Sequence, residues 1–167
     1  MRTFMNPPTL IDKGRLRFFI CDCPNDDNLS QYLEQMNQLN VTDLVRTCEP
    51  TYDKAAVEAA GINVHEIIFR DGEAPSDQKV DEWLEIVKHV SSSDGVVAVH
   101  CVAGLGRAPL MVAIALIEFE KFDPLDAVQY LRDRRRGAIN RKQLAFLRTY
   151  KPRLKQHSSC FACLKKK

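Results

Sequence analysis

His100-Cys101-Val102-Ala103-Gly104-Leu105-Gly106-Arg107 lies between two apolar runs of different character. The run before it, 95–99, is short and rich in valine, which is typical of a buried strand. The run after it, 109–117, continues without a breaker and is typical of a buried helix. The sequence therefore predicts a strand, a glycine-rich loop and a helix, with Cys101 at the start of the loop.

This order of elements suits the binding of an anion. Gly104 and Gly106 allow positive φ, so successive backbone amides can face one phosphate. The start of a helix adds a positive dipole end and unpaired N–H groups, which favour a thiolate at Cys101, and the planar guanidinium of Arg107 can pair with two phosphoryl oxygens. We therefore expect Cys101 to attack phosphorus. The predicted phosphate-binding residues are Val102, Ala103, Gly104, Leu105, Gly106 and Arg107.

Length and composition indicate one globular domain. The chain has 167 residues, 45% of them hydrophobic and 28% charged, and a net charge of +2. No apolar run approaches the roughly 20 residues that span a bilayer. We expect a cytoplasmic protein with mostly reduced cysteines, a folded domain over 1–155 and no binding of nucleic acid.

A flexible basic tail is predicted over 156–167. Residues 151–167 hold six of the 24 basic residues and none of the 22 acidic ones. Such a tail is a candidate contact for anionic membrane lipid on the cytoplasmic face, and a plain solvated chain end is the alternative.

Strand-like and helix-like segments alternate through the first hundred residues, which predicts an α/β fold with a central, mainly parallel sheet flanked by helices. Strands are predicted at 15–20, 42–46, 62–69 and 95–99, and helices at 28–39, 53–61, 76–90, 107–119, 124–135 and 141–150. Ligands of such sheets bind beyond the carboxyl ends of the strands. Cys48 and Cys101 both follow such ends, so their sulfurs are expected on the same edge.

Residues 100–107 carry the signature of the cysteine-dependent protein phosphatases, and with Ala108 and Pro109 they resemble the phosphatase of regenerating liver family, type IVA. The resemblance extends over 8–155 through Val45-Arg46-Thr47-Cys48-Glu49, Thr51-Tyr52-Asp53, Phe69-Arg70-Asp71-Gly72, Ala127-Val128-Gln129 and Arg135-Arg136-Gly137-Ala138. It implies a dual-specificity-like protein tyrosine phosphatase fold and hydrolysis through a cysteinyl-phosphate, with no metal or cofactor. A phosphotyrosine protein or a phosphoinositide is the implied substrate.

The resemblance also implies roles for single residues. Asp71 matches the general acid that protonates the leaving oxygen and then activates water, although a turn aspartate beside Gly72 is the simpler interpretation. His100 supports the loop. Gln143, near Asn140, resembles a residue that positions water.

Ala108 stands where most cysteine phosphatases carry a hydroxyl, which implies slow hydrolysis of the phosphocysteine. Cys48 matches the partner of a reversible disulfide with Cys101, and a buried structural thiol is the alternative.

Other charged and thiol residues are harder to assign. Arg134, Arg135, Arg136 and Lys142 could attract acidic phosphosubstrates, and an exposed helix face explains them equally well. The pairs Cys21/Cys23 and Cys160/Cys163 lack the spacing of a known structural zinc site. Relatives end in a prenylation box with cysteine fourth from the end, where this chain has Leu164.

Two other classes of function stay open. The family that the chain resembles is known for binding the regulatory domains of cyclin-M magnesium transporters, so the phosphate pocket could instead dock such a partner. A rhodanese-type sulfurtransferase also presents a cysteine in an anion-binding loop, and it would not need Asp71.

Overall fold

A sheet of five strands forms the centre of residues 6–154, which are the residues that the computed structural model describes. The strands are β1 (Thr9–Lys13), β2 (Leu16–Cys21), β3 (Val41–Arg46), β4 (Asn63–Glu66) and β5 (Val96–His100). Their order is β1-β2-β5-β3-β4. The pairs β2–β5, β5–β3 and β3–β4 are parallel, and only the β1–β2 pair of this sheet is antiparallel. The mainly parallel α/β sheet is therefore confirmed.

Six helices accompany the sheet within the described range: α1 (Leu29–Gln38), α2 (Lys54–Ala59), α3 (Asp77–Ser91), α4 (Arg107–Phe119), α5 (Pro124–Arg134) and α6 (Arg141–Thr149). Side-chain caps form at the start of α2, where Asp53 accepts from the Ala55 N–H at 2.9 Å, and at the start of α5, where Asp123 accepts from the Leu125 N–H at 2.9 Å. Asn28 makes no such bond to α1 and instead accepts from the Asn25 N–H at 2.7 Å.

Both faces of the sheet are covered. On one face α3 and α4 pack over β2 and β5, and the Trp83 indole donates to the Met111 carbonyl at 2.8 Å. On the other face Tyr32 and Met36 of α1 pack with Leu44 and Ala98. α4 is buried from Arg107 to Glu118, which explains its continuous apolar sequence. No helix among residues 6–154 is long and apolar enough to cross a membrane.

A buried carboxylate holds the last described residues against α4. Glu118 is fully buried and accepts from the Tyr150 hydroxyl at 2.5 Å, the Arg153 N–H at 2.7 Å and the Leu154 N–H at 3.1 Å. The predicted tail, 156–167, with Cys160, Cys163 and Leu164, lies outside the described residues.

The parallel strands bring three loops to one edge. β2, β5 and β3 are neighbours and end at Cys21, His100 and Arg46, and the register pairs Cys21 and Arg46 with His100. The segments that follow these ends carry Cys23, Cys48 and Cys101. The predicted position of Cys48 and Cys101 at one edge is thus a result of the sheet order, which also brings Cys23 there.

Candidate active site

The glycine-rich loop between β5 and α4 forms the floor of a cleft at this edge. Cys101 is buried at its start. The cleft has a volume of about 280 Å³ and is lined by Asp71, Gly72, Cys101, Val102, Ala103, Leu105, Gly106, Gly137 and Asn140. Cys101 and Asp71, two of the predicted catalytic residues, therefore lie in one cleft.

Five successive carbonyl groups of the loop accept hydrogen bonds from groups outside it. The donors are Cys23 N to Val102 O at 3.0 Å, Asn6 Nδ2 to Ala103 O at 3.0 Å, Arg135 Nε to Gly104 O at 2.5 Å, Ile139 N to Leu105 O at 2.8 Å and Leu110 N to Gly106 O at 3.1 Å. In a trans peptide the N–H points away from the C=O of the same plane. Each amide of residues 103–107 is therefore directed away from the donor that its own peptide carbonyl contacts, as an anion-binding nest requires.

Gly104 is required at the centre of this loop. Its φ is +65°, and a Cβ there would stand 2.4 Å from the Cys21 carbonyl oxygen and 2.5 Å from Arg135 Nη2. Gly104 thus adopts the positive φ that the sequence predicted for it. Gly106 has φ −108°, so its role is different from the expected one.

Arg135 is buried, whereas the sequence predicted an exposed helix face or a patch that attracts substrate. It is only 4% exposed, and its guanidinium bonds the Gly104 carbonyl, the Pro7 carbonyl at 2.8 Å and the Thr9 hydroxyl at 2.8 Å. Arg134 and Arg136 remain on the surface. Sequence reasoning missed Arg135 because a run of arginines gives no sign of which one turns inward.

Arg107 is held rigidly at the start of α4. Nη1 donates to the Thr47 carbonyl at 3.1 Å and to the Phe69 carbonyl at 3.0 Å, which ties the side chain to the segments after β3 and β4. Nε forms an ion pair with Asp71 Oδ1 at 3.2 Å. One edge of the guanidinium is thus anchored, and the other edge faces the acid.

Asp71 lies on a loop that α6 supports. Its side chain is 79% exposed, so it reaches the cleft from the solvent side. Asn140 Nδ2 donates to the Gly72 carbonyl at 3.2 Å, and Gln143 Nε2 approaches the Glu73 carbonyl at 3.4 Å. Asn140 and Gln143 also form the capping box of α6. The structure therefore connects Gln143 to the acid-bearing loop.

His100 is fully buried and contacts two side chains. Nε2 stands 2.7 Å from the Tyr52 hydroxyl, and Nδ1 stands 3.8 Å from Cys48 Sγ. Its carbonyl accepts from the Thr47 N–H at 3.0 Å and the Thr47 hydroxyl at 2.7 Å. These contacts fix the residue that precedes Cys101.

Cys23 joins this group of residues, which the sequence did not predict. Cys48 Sγ lies 3.6 Å from Cys23 Sγ, and the Thr51 hydroxyl lies 3.0 Å from the same sulfur. Hydrogen bonding from Cys48, together with His100, lowers the pKa of Cys23 to about 4 despite partial burial. The same contact and burial raise the pKa of the Cys48 thiol.

All four cysteines among residues 6–154 are free thiols. Burial raises the pKa of Cys21 well above its ordinary value, so Cys21 is an inert core residue, unlike its near neighbour Cys23. The charge of Cys101 raises the pKa of Cys48 and the charge of Arg107 lowers it, which is consistent with the predicted position of Cys48 near the nucleophile. Ala108 is fully buried in the first turn of α4.

Known proteins resemble this chain in sequence. A family described as "Polymorphic toxin system, DSP-PTPase phosphatase" matches residues 23–121. The "PRL-1 phosphatase" of Drosophila melanogaster is 47% identical over 149 residues, 87% of this chain and 84% of that one. The "Protein tyrosine phosphatase type IVA 2" of Mus musculus is 46% identical over 151 residues, 89% of each chain.

Solved structures share the fold. A protein tyrosine phosphatase from Leishmania major superposes with a TM-score of 0.79 at 38% identity, covering 86% of this chain and 98% of its own. PTPMT1 in complex with PI(5)P has a TM-score of 0.69 at 18% identity, covering 81% of this chain and 89% of its own. The second likeness concerns the fold alone.

Proposed function

The chain belongs to the type IVA protein tyrosine phosphatase family, and we propose that it hydrolyses phosphate monoesters in two steps through a phosphate bound covalently to Cys101. The observation that carries this assignment is the loop between β5 and α4, with Cys101 at its start and Arg107 at its end. Hydrogen bonds hold its carbonyls at 102–106, so each amide of 103–107 points away from the donor that holds its own peptide carbonyl. A phosphoryl group bound there meets amide donors, a guanidinium and a sulfur nucleophile.

In the first step the Cys101 thiolate attacks phosphorus and the bond to the ester oxygen breaks. The departing electron pair goes to that oxygen, which takes a proton from the Asp71 carboxylic acid. The phosphoryl oxygens compete with Asp71 for the Nε edge of Arg107, so substrate binding releases the carboxyl group toward the leaving oxygen. The Nη1 anchors to Thr47 and Phe69 hold the guanidinium in place meanwhile.

In the second step water attacks the phosphocysteine. The Asp71 carboxylate takes the water proton, the phosphorus–sulfur bond breaks, and inorganic phosphate leaves with the thiolate restored. Gln143 supports this step by holding the loop that carries Asp71. Ala108 offers no hydroxyl to the departing sulfur, so this step is slow.

Two substrates with different leaving groups test these roles. Cys101→Ser abolishes hydrolysis of both an aryl and an alkyl phosphate. Asp71→Asn lowers the rate with the alkyl phosphate by about 100-fold or more, and the rate with the activated aryl phosphate by much less, since only the poor leaving group needs protonation.

Glu73→Gln is the matched control, because Glu73 is a nearby carboxylate already paired with Lys142 at 2.5 Å. It keeps both activities. Equal losses in the Asp71 and Glu73 variants would refute the acid assignment.

A redox switch is proposed for the same cleft. Peroxide oxidises the Cys101 thiolate to a sulfenic acid, and the Cys48 thiol then displaces water to form a disulfide. The Thr47 N–H donates to the His100 carbonyl at 3.0 Å, so the residues that precede the two cysteines are in contact, which supports their proximity. Peptide mapping after peroxide treatment should give a Cys48–Cys101 crosslink, and its absence would remove this proposal.

The substrate class is proposed to be a phosphotyrosine protein or a phosphoinositide. The phosphoinositide option is supported by PTPMT1, a protein of the same fold that is known in complex with PI(5)P. Comparing rates on a phosphotyrosine peptide and on a soluble phosphoinositide separates the two classes.

Docking of a cyclin-M type transporter domain is a second candidate, favoured by Val102, which is 56% exposed and lies in the wall of the cleft. Capture of that domain should be weakened by Val102→Asp and kept by Cys101→Ser.

The phosphatase domain is proposed to span 1–155. The basic residues of 156–167 are proposed to bind anionic lipid on the cytoplasmic face of membranes, which vesicle sedimentation with and without that segment tests.

A further inference from the structure

Three potential metal ligands converge beside the glycine-rich loop 101–107, called the phosphate loop below. Cys23 follows β2, Cys48 follows β3 and His100 ends β5, so the group depends on the order of three neighbouring parallel strands. The two sulfurs and one imidazole nitrogen all lie within 4.8 Å of one another. None of the expected catalytic steps uses Cys23.

The separations match those of ligands around one ion. Two thiolate sulfurs bound to tetrahedral zinc at about 2.3 Å stand roughly 3.8 Å apart, and a sulfur and an imidazole nitrogen stand slightly closer. The observed separations are 3.6 Å between Cys23 Sγ and Cys48 Sγ and 3.8 Å between Cys48 Sγ and His100 Nδ1. The side chains are therefore already near the positions that an ion needs.

The surroundings support such a site. The Tyr52 hydroxyl contacts His100 Nε2 at 2.7 Å, which leaves Nδ1 for coordination and fixes the ring, as partners of metal-bound histidines do. The Cys23 N–H donates to the Val102 carbonyl at 3.0 Å, which fixes the segment that carries the Cys23 sulfur. Cys23 is partly exposed, so an ion can enter from solvent.

We propose that Cys23, Cys48 and His100 bind a thiophilic divalent cation such as Zn²⁺, with a fourth position open to solvent. Two sulfurs and an imidazole select zinc, cobalt or cadmium over magnesium or calcium. Both sulfurs bind as thiolates, so the proton of the Cys48 thiol leaves to solvent on binding. The bound ion occupies Cys48, so it prevents the disulfide with Cys101; this consequence rests on the proposed function, whereas the metal site itself does not.

Cobalt titration of the reduced full-length chain tests the site directly. Co²⁺ should bind with one equivalent and give thiolate charge-transfer absorption with the visible bands of a tetrahedral ion, and Zn²⁺ should displace it. Cys23→Ser should weaken Zn²⁺ binding by more than about 100-fold, which exceeds the effect of losing a supporting hydrogen bond.

Cys160→Ser/Cys163→Ser is the matched control, because it removes two thiols that are not among the three proposed ligands. It should keep the cobalt spectrum. A spectrum that is lost in this double variant and kept in Cys23→Ser would overturn the proposal, as would the absence of any thiolate band in the unmodified chain.

Failure of the metal site and failure of the phosphatase assignment are distinguishable. Cys101→Ser should keep the cobalt spectrum while losing hydrolysis. In the unmodified chain Zn²⁺ should suppress the Cys48–Cys101 crosslink formed with peroxide, and in Cys23→Ser the crosslink should form with or without Zn²⁺. Crosslinking unaffected by saturating Zn²⁺ in the unmodified chain would overturn the protective role.

Discussion

Ala108, in the first turn of α4, is the residue to which we attribute slow hydrolysis of the proposed phosphocysteine. We predict that Ala108→Ser accelerates dephosphorylation of Cys101 by about tenfold, the effect of one new hydrogen bond of roughly 1.4 kcal/mol to the departing sulfur. Single-turnover kinetics with intact-mass detection of the phosphoprotein measure this step. Ala108→Gly adds no hydroxyl and should give no such gain, so equal acceleration in both variants would contradict the explanation.

Asp43 is a buried carboxylate at the start of β3 that accepts from His65 Nε2 at 2.7 Å and Asn63 Nδ2 at 3.3 Å. Burial alone would raise its pKa, but these hydrogen bonds outweigh burial and hold the pKa below the ordinary value. A depressed pKa in the folded state contributes stability that is complete above the unfolded pKa, about 3.9, and is lost as the pH falls below it.

We therefore predict that Asp43→Asn lowers the free energy of unfolding by about 2 kcal/mol at neutral pH and by progressively less below pH ~4. Urea unfolding across that pH range provides the measurement. Asp12→Asn is the control, since Asp12 pairs with Arg17 at the surface and should change stability by less than about 0.5 kcal/mol.

At the scale of elements, the phosphate loop depends on one backbone conformation. We predict that Gly104→Ala destabilises the fold by about 3 kcal/mol, because the methyl group meets backbone at 2.4 Å and positive φ adds strain. Gly61→Ala separates these causes, because Gly61 has φ +81° with open space around it and should cost only about 1 kcal/mol. Guanidinium unfolding of both variants decides the matter; similar losses would mean that steric contact plays no part.

Elements with strong local patterns were predictable, and elements defined by pairing were not. α4 was found because its apolar run is buried on every side. β1 was missed because Thr9, Leu10, Asp12 and Lys13 remain outside the core, and its extended form depends on pairing with β2. β4 ends at Glu66, and the apolar residues after it, Ile67 and Phe69, belong to the core without belonging to the strand.

The site divides in the same way. Cys101 and Arg107 could be singled out because they belong to one short motif, whereas Asp71 lies far from it in the sequence and is assigned through the family resemblance; their catalytic roles stay predictions. The donors that hold the loop carbonyls, such as Asn6 and Arg135, come from distant parts of the chain, and only the folded structure identifies them. Cys23 was missed for the same reason, since its partners Cys48 and His100 lie on other strands.

At the scale of the whole molecule, Glu118 links α4 to the segment after α6. Because its carboxylate accepts from three donors while fully buried, we predict that Glu118→Ala costs about 3 kcal/mol and that Tyr150→Phe costs about 1 kcal/mol. Trypsin cleavage after Arg153 should accelerate in the same order, as the segment loses its attachment. Unchanged cleavage in Glu118→Ala would show that Glu118 does not hold this segment.

Asn6 donates to the Ala103 carbonyl of the loop, and the Pro7 carbonyl accepts from Arg135, which also holds the loop; these contacts of Asn6 and Pro7 have a practical consequence for inhibitor screening. A fluorescent or affinity tag joined just ahead of these residues would sit beside the cleft and could distort apparent potencies. Attachment through Lys88 avoids this problem, because its side chain is 64% exposed near the end of α3 and the opposite edge of the sheet. Surface-plasmon sensors that orient the protein through this lysine would present the cleft freely to compounds.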